Sequence, residues 1–106
     1  MTFMHSSKDI RLKNNRYLTA TCQRKDGRWV ESSLDLDTII GNDDGYFSWE
    51  GENFSMSAAD PVTIKVASDS VLLRTDLRKA NGDWRQGETL ELSERIENLD
   101  GQLSFV

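Results

Sequence analysis

Apolar and polar residues alternate along most of this chain with a period of two, the spacing of strands that bury one face. Leu34 and Leu36 alternate with Asp35 and Asp37, and Val62, Ile64 and Val66 alternate with Thr63 and Lys65. Phe47 and Trp49 flank Ser48 in the same way. In Leu18-Thr19-Ala20-Thr21-Cys22 the alternation puts Cys22 on the face of Leu18 and Ala20, where it reads as a small buried hydrophobe. Asp26-Gly27, Asn81-Gly82, Asp44-Gly45 and Asp100-Gly101 separate such runs and read as tight hairpin turns of the primed type, which need positive φ. Asp37 and Ser93 read as caps of one helical turn running through Ile40 and Ile96. No segment keeps a helical period over three turns, so the expected class is all-β, with only short helical turns.

The pattern occurs twice. Leu18, Gly27 and Trp29 recur 55 positions later as Leu73, Gly82 and Trp84. After one inserted residue the offset is 56, and 7 of the 16 positions in Leu34–Trp49 are identical in Leu90–Phe105. Phe3 with Ser6 and Ser7 is echoed by Phe54 with Ser57. Repeat one runs from about residue 1 to 50 and repeat two from about 51 to 106, each with about five short strands and a helical turn. A unit of that size is marginal alone, so both repeats are expected to bury their apolar faces in one pseudo-twofold body, 1–106. Strand exchange between repeats is compatible with this pattern but not required by it. Trp29, Trp49 and Trp84 read as core aromatics rather than exposed stacking platforms for a ligand.

Composition removes several classes of function. A net charge of −5, from 18 acidic and 13 basic residues, disfavours nucleic acid and anionic membrane as partners. The longest apolar runs are a few residues, so no membrane insertion is expected. One cysteine and one histidine cannot supply a four-ligand zinc site, and no metal or cofactor is expected. Calcium loops of the EF-hand type would need a carboxylate where Ile40 and Ile96 stand. Glycoside hydrolysis needs two carboxylates in different environments across a cleft, whereas alternation spreads these over solvent faces, so the chain reads as no enzyme. The N-terminus shows no apolar leader region and no disulfide can form within the chain, which leaves a cytoplasmic or non-classically secreted protein as the expectation.

Leu18 through Cys22, the Asp26-Gly27 turn, Ser33-Leu34-Asp35-Leu36-Asp37, Ile39-Ile40-Gly41-Asn42 and Asp44-Gly45 with Trp49 resemble the cyanovirin-N homology family. Asn53-Phe54, Leu92, Arg95 through Asn98 and Asp100-Gly101 carry the resemblance into repeat two, so it spans the whole chain. It implies a pseudo-twofold fold whose halves exchange strands, and a mannose-binding lectin for α1-2-linked mannose at the ends of high-mannose glycans. A monomer is expected, and exchanged strands also permit a domain-swapped dimer. Ser7, Ala58 or Ala59, and Leu77 stand where the family's paired cysteines would be, which points to its disulfide-free branch.

By position, the resemblance implies two carbohydrate sites. The first, favoured one takes His5 and Ser6, then Gln23 and Lys25, then Asn98, Leu99 and Asp100. The second takes Asn42, Asp43 and Asp44, then Asn53, Met56 and Ser57, then Arg78, Lys79, Ala80 and Asp83. Gly41, Met56 and Ala80 stand where the family often has polar or acidic groups, which weakens the second site. The chemistry fits: vicinal sugar hydroxyls both donate and accept, and carboxylates and amides match them. If the first site acts alone, removing Asn98 and Asp100 together is expected to abolish binding with little effect on melting. The competing reading keeps the fold as a protein-interaction module that has lost sugar binding.

Overall fold

The computed structural model describes residues 3–106, so the first two positions of repeat one, and of the N-terminal leader reading, lie outside the described residues. Each repeat gives a three-stranded antiparallel sheet and then a separate hairpin. In repeat one the sheet is β1 (Ser7–Lys13), β2 (Tyr17–Gln23) and β3 (Trp29–Asp35), and the hairpin is β4 (Ile40–Asp43) and β5 (Tyr46–Trp49). Repeat two supplies β6 (Thr63–Val66), β7 (Val71–Arg78) and β8 (Trp84–Glu91), then β9 (Ile96–Leu99) and β10 (Gln102–Phe105). The class is all-β, with two 3₁₀ turns per repeat rather than the single helical turn expected: Phe3–Ser6 and Leu36–Thr38, then Phe54–Ser57 and Leu92–Glu94.

The repeats exchange their hairpins. β10 packs against β3 of repeat one, and β5 packs against β8 of repeat two. Across the first junction the Leu103 N–H donates to Ser32 Oγ at 3.0 Å. A lone three-stranded sheet leaves its apolar face wet, and the hairpin of the other repeat covers it. The resulting body is elongated, 50 × 22 × 22 Å. Its core is built from repeat mates: Phe3 and Phe54, Leu18 and Leu73, Leu36 and Leu92, and Ile40 and Ile96 are all buried. Trp49 and Phe105, also mates, stack on one another with ring centroids 5.8 Å apart.

Three local expectations are corrected. Asp44-Gly45 (φ 49° and 92°) and Asp100-Gly101 (φ 51° and 92°) form two-residue primed turns as read, but Asp26-Gly27 and Asn81-Gly82 do not. There the glycine alone has positive φ, and Arg24 N–H to Arg28 O (2.7 Å) with Gly27 N–H to Arg24 O (2.9 Å) makes a longer loop, repeated at Lys79, Asp83 and Gly82. That is a type I turn followed by a left-handed glycine, the three-residue hairpin solution. The helical-turn caps lie two residues earlier than expected. The Asp35 carboxylate accepts the Asp37 N–H and the Glu91 carboxylate accepts the Ser93 N–H. Trp29 and Trp84 are not core: they are 43% and 44% exposed, lying under Lys8 and Arg78 respectively, while Trp49 packs against the core.

Where the paired cysteines of the family would stand, packing takes over. Ser7 is the strand partner of Cys22 and its hydroxyl lies 3.5 Å from the Cys22 Sγ. Ala58, not Ala59, faces Leu77. Burial pushes the Cys22 thiol up, which keeps it in the inert form of a core residue.

The Asp35 cap is also an acid-sensitive point of repeat one. Arg16 Nε donates to it at 2.9 Å and holds its carboxyl below the ordinary aspartate range. A depressed carboxyl contributes its stability above the unfolded-chain value, about pH 4, and loses it as pH falls through the folded value. Asp35→Asn should therefore flatten the acid limb of a urea-stability profile below about pH 4. An acid limb as steep as that of the unmodified chain would assign the loss to other carboxylates.

Candidate carbohydrate-binding site

The exchange of hairpins brings chain-distant polar groups together twice, once in each half. In the first cluster Asn98, on β9, is the hub. Its amide donates to Ser6 Oγ (2.9 Å), to the Ser6 carbonyl (3.2 Å) and to the Gln23 carbonyl (2.9 Å). Its own carbonyl accepts the Gly101 N–H at 2.7 Å. Asp100 follows in the primed turn, exposed and with positive φ, and its Oδ1 accepts the Lys25 N–H at 2.9 Å. Its Oδ2 lies 3.9 Å from Arg24 Nη2. Four segments meet here: the Phe3–Ser6 turn, the end of β2, the loop to β3, and the β9–β10 turn.

The second cluster repeats this. Asn42 donates to Ser57 Oγ and to the Arg78 carbonyl, both at 2.8 Å, and accepts the Gly45 N–H at 2.7 Å. Asp44 Oδ1 accepts the Ala80 N–H at 2.9 Å. The mates correspond throughout: Asn98 with Asn42, Asp100 with Asp44, Gln23 with Arg78, Lys25 with Ala80, and Ser6 with Ser57.

Not every residue named from the sequence enters these bonds. His5 is exposed and its Nε2 lies 3.6 Å from Asp69 Oδ1, on the β6–β7 loop. Leu99 and Met56 are exposed, at 52% and 81%. Asp43 is exposed at the tip of β4. Asn53 is exposed at φ 62°, ahead of the Phe54–Ser57 turn, and Lys79 and Asp83 close the β7–β8 loop through their backbones. Gln23 contributes its carbonyl to Asn98, while its side-chain amide reaches back to the Gly27 carbonyl at 3.3 Å.

Two side chains were missed. Arg24 packs under Gly101, where an added Cβ would sit 2.7 Å from its Cγ, and Arg85 packs under Gly45 in the same way, with its guanidinium 3.7 Å from the Tyr46 ring centre. Arg24 and Arg85 are not repeat mates of one another: the mate of Arg24 is Lys79, which also packs under Gly45, and the mate of Arg85 is Val30, which packs under Gly101, so the positions repeat while the residue types do not. The expectation for Asn98 also changes. Its polar atoms are spent inside the scaffold, so its removal must cost stability as well as shape.

Each cluster is an open polar face in which carboxylate, amide and backbone donors and acceptors alternate over a few ångströms, an arrangement suited to sugar hydroxyls. Nothing in either cluster pairs a nucleophile with a base. Residues 3–104 match the family described as CVNH domain. The chain belongs to the cyanovirin-N homology family. It is 39% identical over 106 residues to the cyanovirin-N homologue of Tuber borchii, with 99% of each chain covered. Its structure is similar to that of a designed cyanovirin-N homologue lectin, at 42% identity, a TM-score of 0.91 and full coverage of both chains. It is also similar to microvirin solved with mannobiose (28% identical, TM-score 0.86, both chains fully covered). A homologue variant, of MoCVNH3, solved with a tetramer of N-acetylglucosamine, is 25% identical with a TM-score of 0.83, over 98% of this chain and 96% of that one. Members of this family are lectins, so this is a non-catalytic carbohydrate-binding protein. Its single cysteine, buried and unpaired, fits the disulfide-free branch of the cyanovirin-N homology family.

Proposed function

We propose that residues 1–106 form one cyanovirin-N-like domain that binds α1-2-linked mannose at the ends of high-mannose glycans, on free glycans or glycoproteins. The observation that carries this reading is the convergence at Asn98 and Asp100, where four remote segments meet as an open face of hydrogen-bonding groups. The mannobiose bound by microvirin supports the choice of sugar. The first cluster is the principal site, with Asp100 as its main charged acceptor, because hydrogen bonds to ionised groups are the stronger ones. The second cluster acts as the weaker site. Each site is open and binds weakly alone, so glycans that reach several sites gain through effective concentration. The N-acetylglucosamine oligomer bound by the other relative makes that sugar the competing ligand.

The test is an NMR titration of the isotope-labelled chain with α1-2-mannobiose, run beside one with a tetramer of N-acetylglucosamine. Expected are shifts at Ser6, Lys25 and Asp100 with mannobiose at millimolar concentration, and smaller shifts at Asn42 and Ser57. Shifts with the N-acetylglucosamine oligomer alone would reassign the specificity. Silence at both clusters with both sugars would leave the protein-interaction reading.

A further inference from the structure

The two clusters are not held in place by the same means. Asp37 lies in the Leu36–Thr38 turn and is only 3% exposed, a rare position for a carboxylate. Its Oδ1 accepts the Ser55 N–H at 3.0 Å and its Oδ2 accepts the Ser55 hydroxyl. Its backbone carbonyl accepts the Asn53 N–H at 2.8 Å. Arg16 Nε, at 3.4 Å from Oδ2, supplies the compensating charge.

Ser55 is the second residue of the Phe54–Ser57 turn, and Asn53 occupies the cap position without any side-chain cap bond. The first N–H groups of a helical turn need acceptors that the turn itself cannot supply. Asp37 supplies one from 18 residues away, as a long-range cap. The same turn ends at Ser57, whose hydroxyl accepts the amide of Asn42 in the second cluster. The chemistry is absent from the other half: the mate of Asp37 is Ser93, which has no carboxylate, and the mate of Ser55 is Met4, which has no hydroxyl.

We infer that Asp37 is a positioning residue for the second carbohydrate site, holding the Phe54–Ser57 turn so that Ser57 meets Asn42. The inference rests on the lectin reading of that cluster. Asp37 touches no ligand. It fixes the turn through Ser55, and the first site is independent of it.

The test compares Asp37→Ser, Asp37→Asn and Ser55→Ala with the unmodified chain, by NMR titration with α1-2-mannobiose. Asp37→Ser, which installs the side chain found at the mate position, should weaken the second site about five- to tenfold and leave the first unchanged. Ser55→Ala, which keeps the buried carboxylate, should weaken it less. Asp37→Asn keeps an acceptor for the Ser55 N–H and should restore most of the affinity. Without sugar, hydrogen exchange of the Ser55–Ser57 amides and the Asn42 side-chain signal should change in Asp37→Ser, while Ser6 and Asn98 stay constant. Equal second-site affinity and unchanged exchange in Asp37→Ser overturn the inference. If that variant does not fold, Ser55→Ala decides it by the same two measurements. Changed exchange in a chain whose second cluster never responds to sugar would keep the clasp and reject its link to binding. Silence at both clusters in the unmodified chain would reject the lectin reading itself.

Discussion

Phe54→Ala should lower the stability of the folded chain by about 3–5 kcal/mol, the range for emptying a buried aromatic site. Phe54 is fully buried, and its ring meets Phe47 edge to ring face, centroids 5.8 Å apart and planes at 63°. Two terms add: the transfer energy of the ring and the cavity left by strands that cannot collapse inward. Phe47 comes from the exchanged β4–β5 hairpin of repeat one and Phe54 from the segment that opens repeat two. The contact therefore ties the repeats together, and local adjustment within one of them cannot restore it. Domains of this size have about 5–15 kcal/mol in total, so this one change removes a large share. Thermal melting should fall by about 12–25 °C, and the urea midpoint should fall with it. Met56→Ala, two residues further on at an 81% exposed position, should change neither measurably. Equal melting of the two variants would contradict the assignment of Phe54 to the core.

The reason Phe54 could be placed from the sequence is its mate. Phe3 and Phe54 each precede a serine by three residues, and duplication of that spacing marks them as repeat mates; the fold shows that both are buried. The offsets of 55 and 56 carried the strands and the pairing of the turns in the same way, whereas the exchange of hairpins followed only from the family resemblance. Where the reading failed, residue type was weighted above phase. Trp29 shares its alternation with Glu31 and Ser33, whereas Val30, Ser32 and Leu34 face inward. Trp84 likewise falls in phase with Gln86 and is exposed like it. The phase was legible in both strands, and the size of the indole ring masked it. The caps failed for a related reason: Asp35 and Asp37 are both good acceptors, and only the backbone shows which one precedes the first helical residue.

The candidate sites were legible as positions and not as roles. A sequence shows that Asn98 can donate and accept, not where those bonds are spent. Arg24 and Arg85 reach their clusters because glycine opposite them leaves room for the side chain, and that is a property of two strands brought together by the exchange. Asp37 was read as a local cap, whereas its carboxylate is spent on Ser55, across the junction between the repeats.

Asn98→Ala is where role and position separate most. The substitution removes the donors to Ser6 and Gln23 and the acceptor for Gly101, all held within 2.7–3.2 Å. Gly101 is buried, so its N–H loses its partner with little water to replace it. Leaving such a group unsatisfied costs about 1–3 kcal/mol, and loss of the bonds to Ser6 and Gln23 adds to that, for about 2–4 kcal/mol in all. The Phe3–Ser6 turn is then freed from β9, and Asp100 loses the fixed turn that aims it at Lys25. First-site binding should disappear, and melting should fall by about 8–20 °C. Asp100→Ala separates the two effects. Asp100 is half exposed and has one backbone bond to Lys25, so its loss should remove most first-site affinity while melting changes by only a few degrees. Asn42→Ala should reproduce the Asn98 result at the second site, because its three bonds are the mates of three of the four at the first. Should Asn98→Ala melt like the unmodified chain and lose sugar all the same, Asn98 would be a direct ligand contact, and the scaffold role would pass to Asp100.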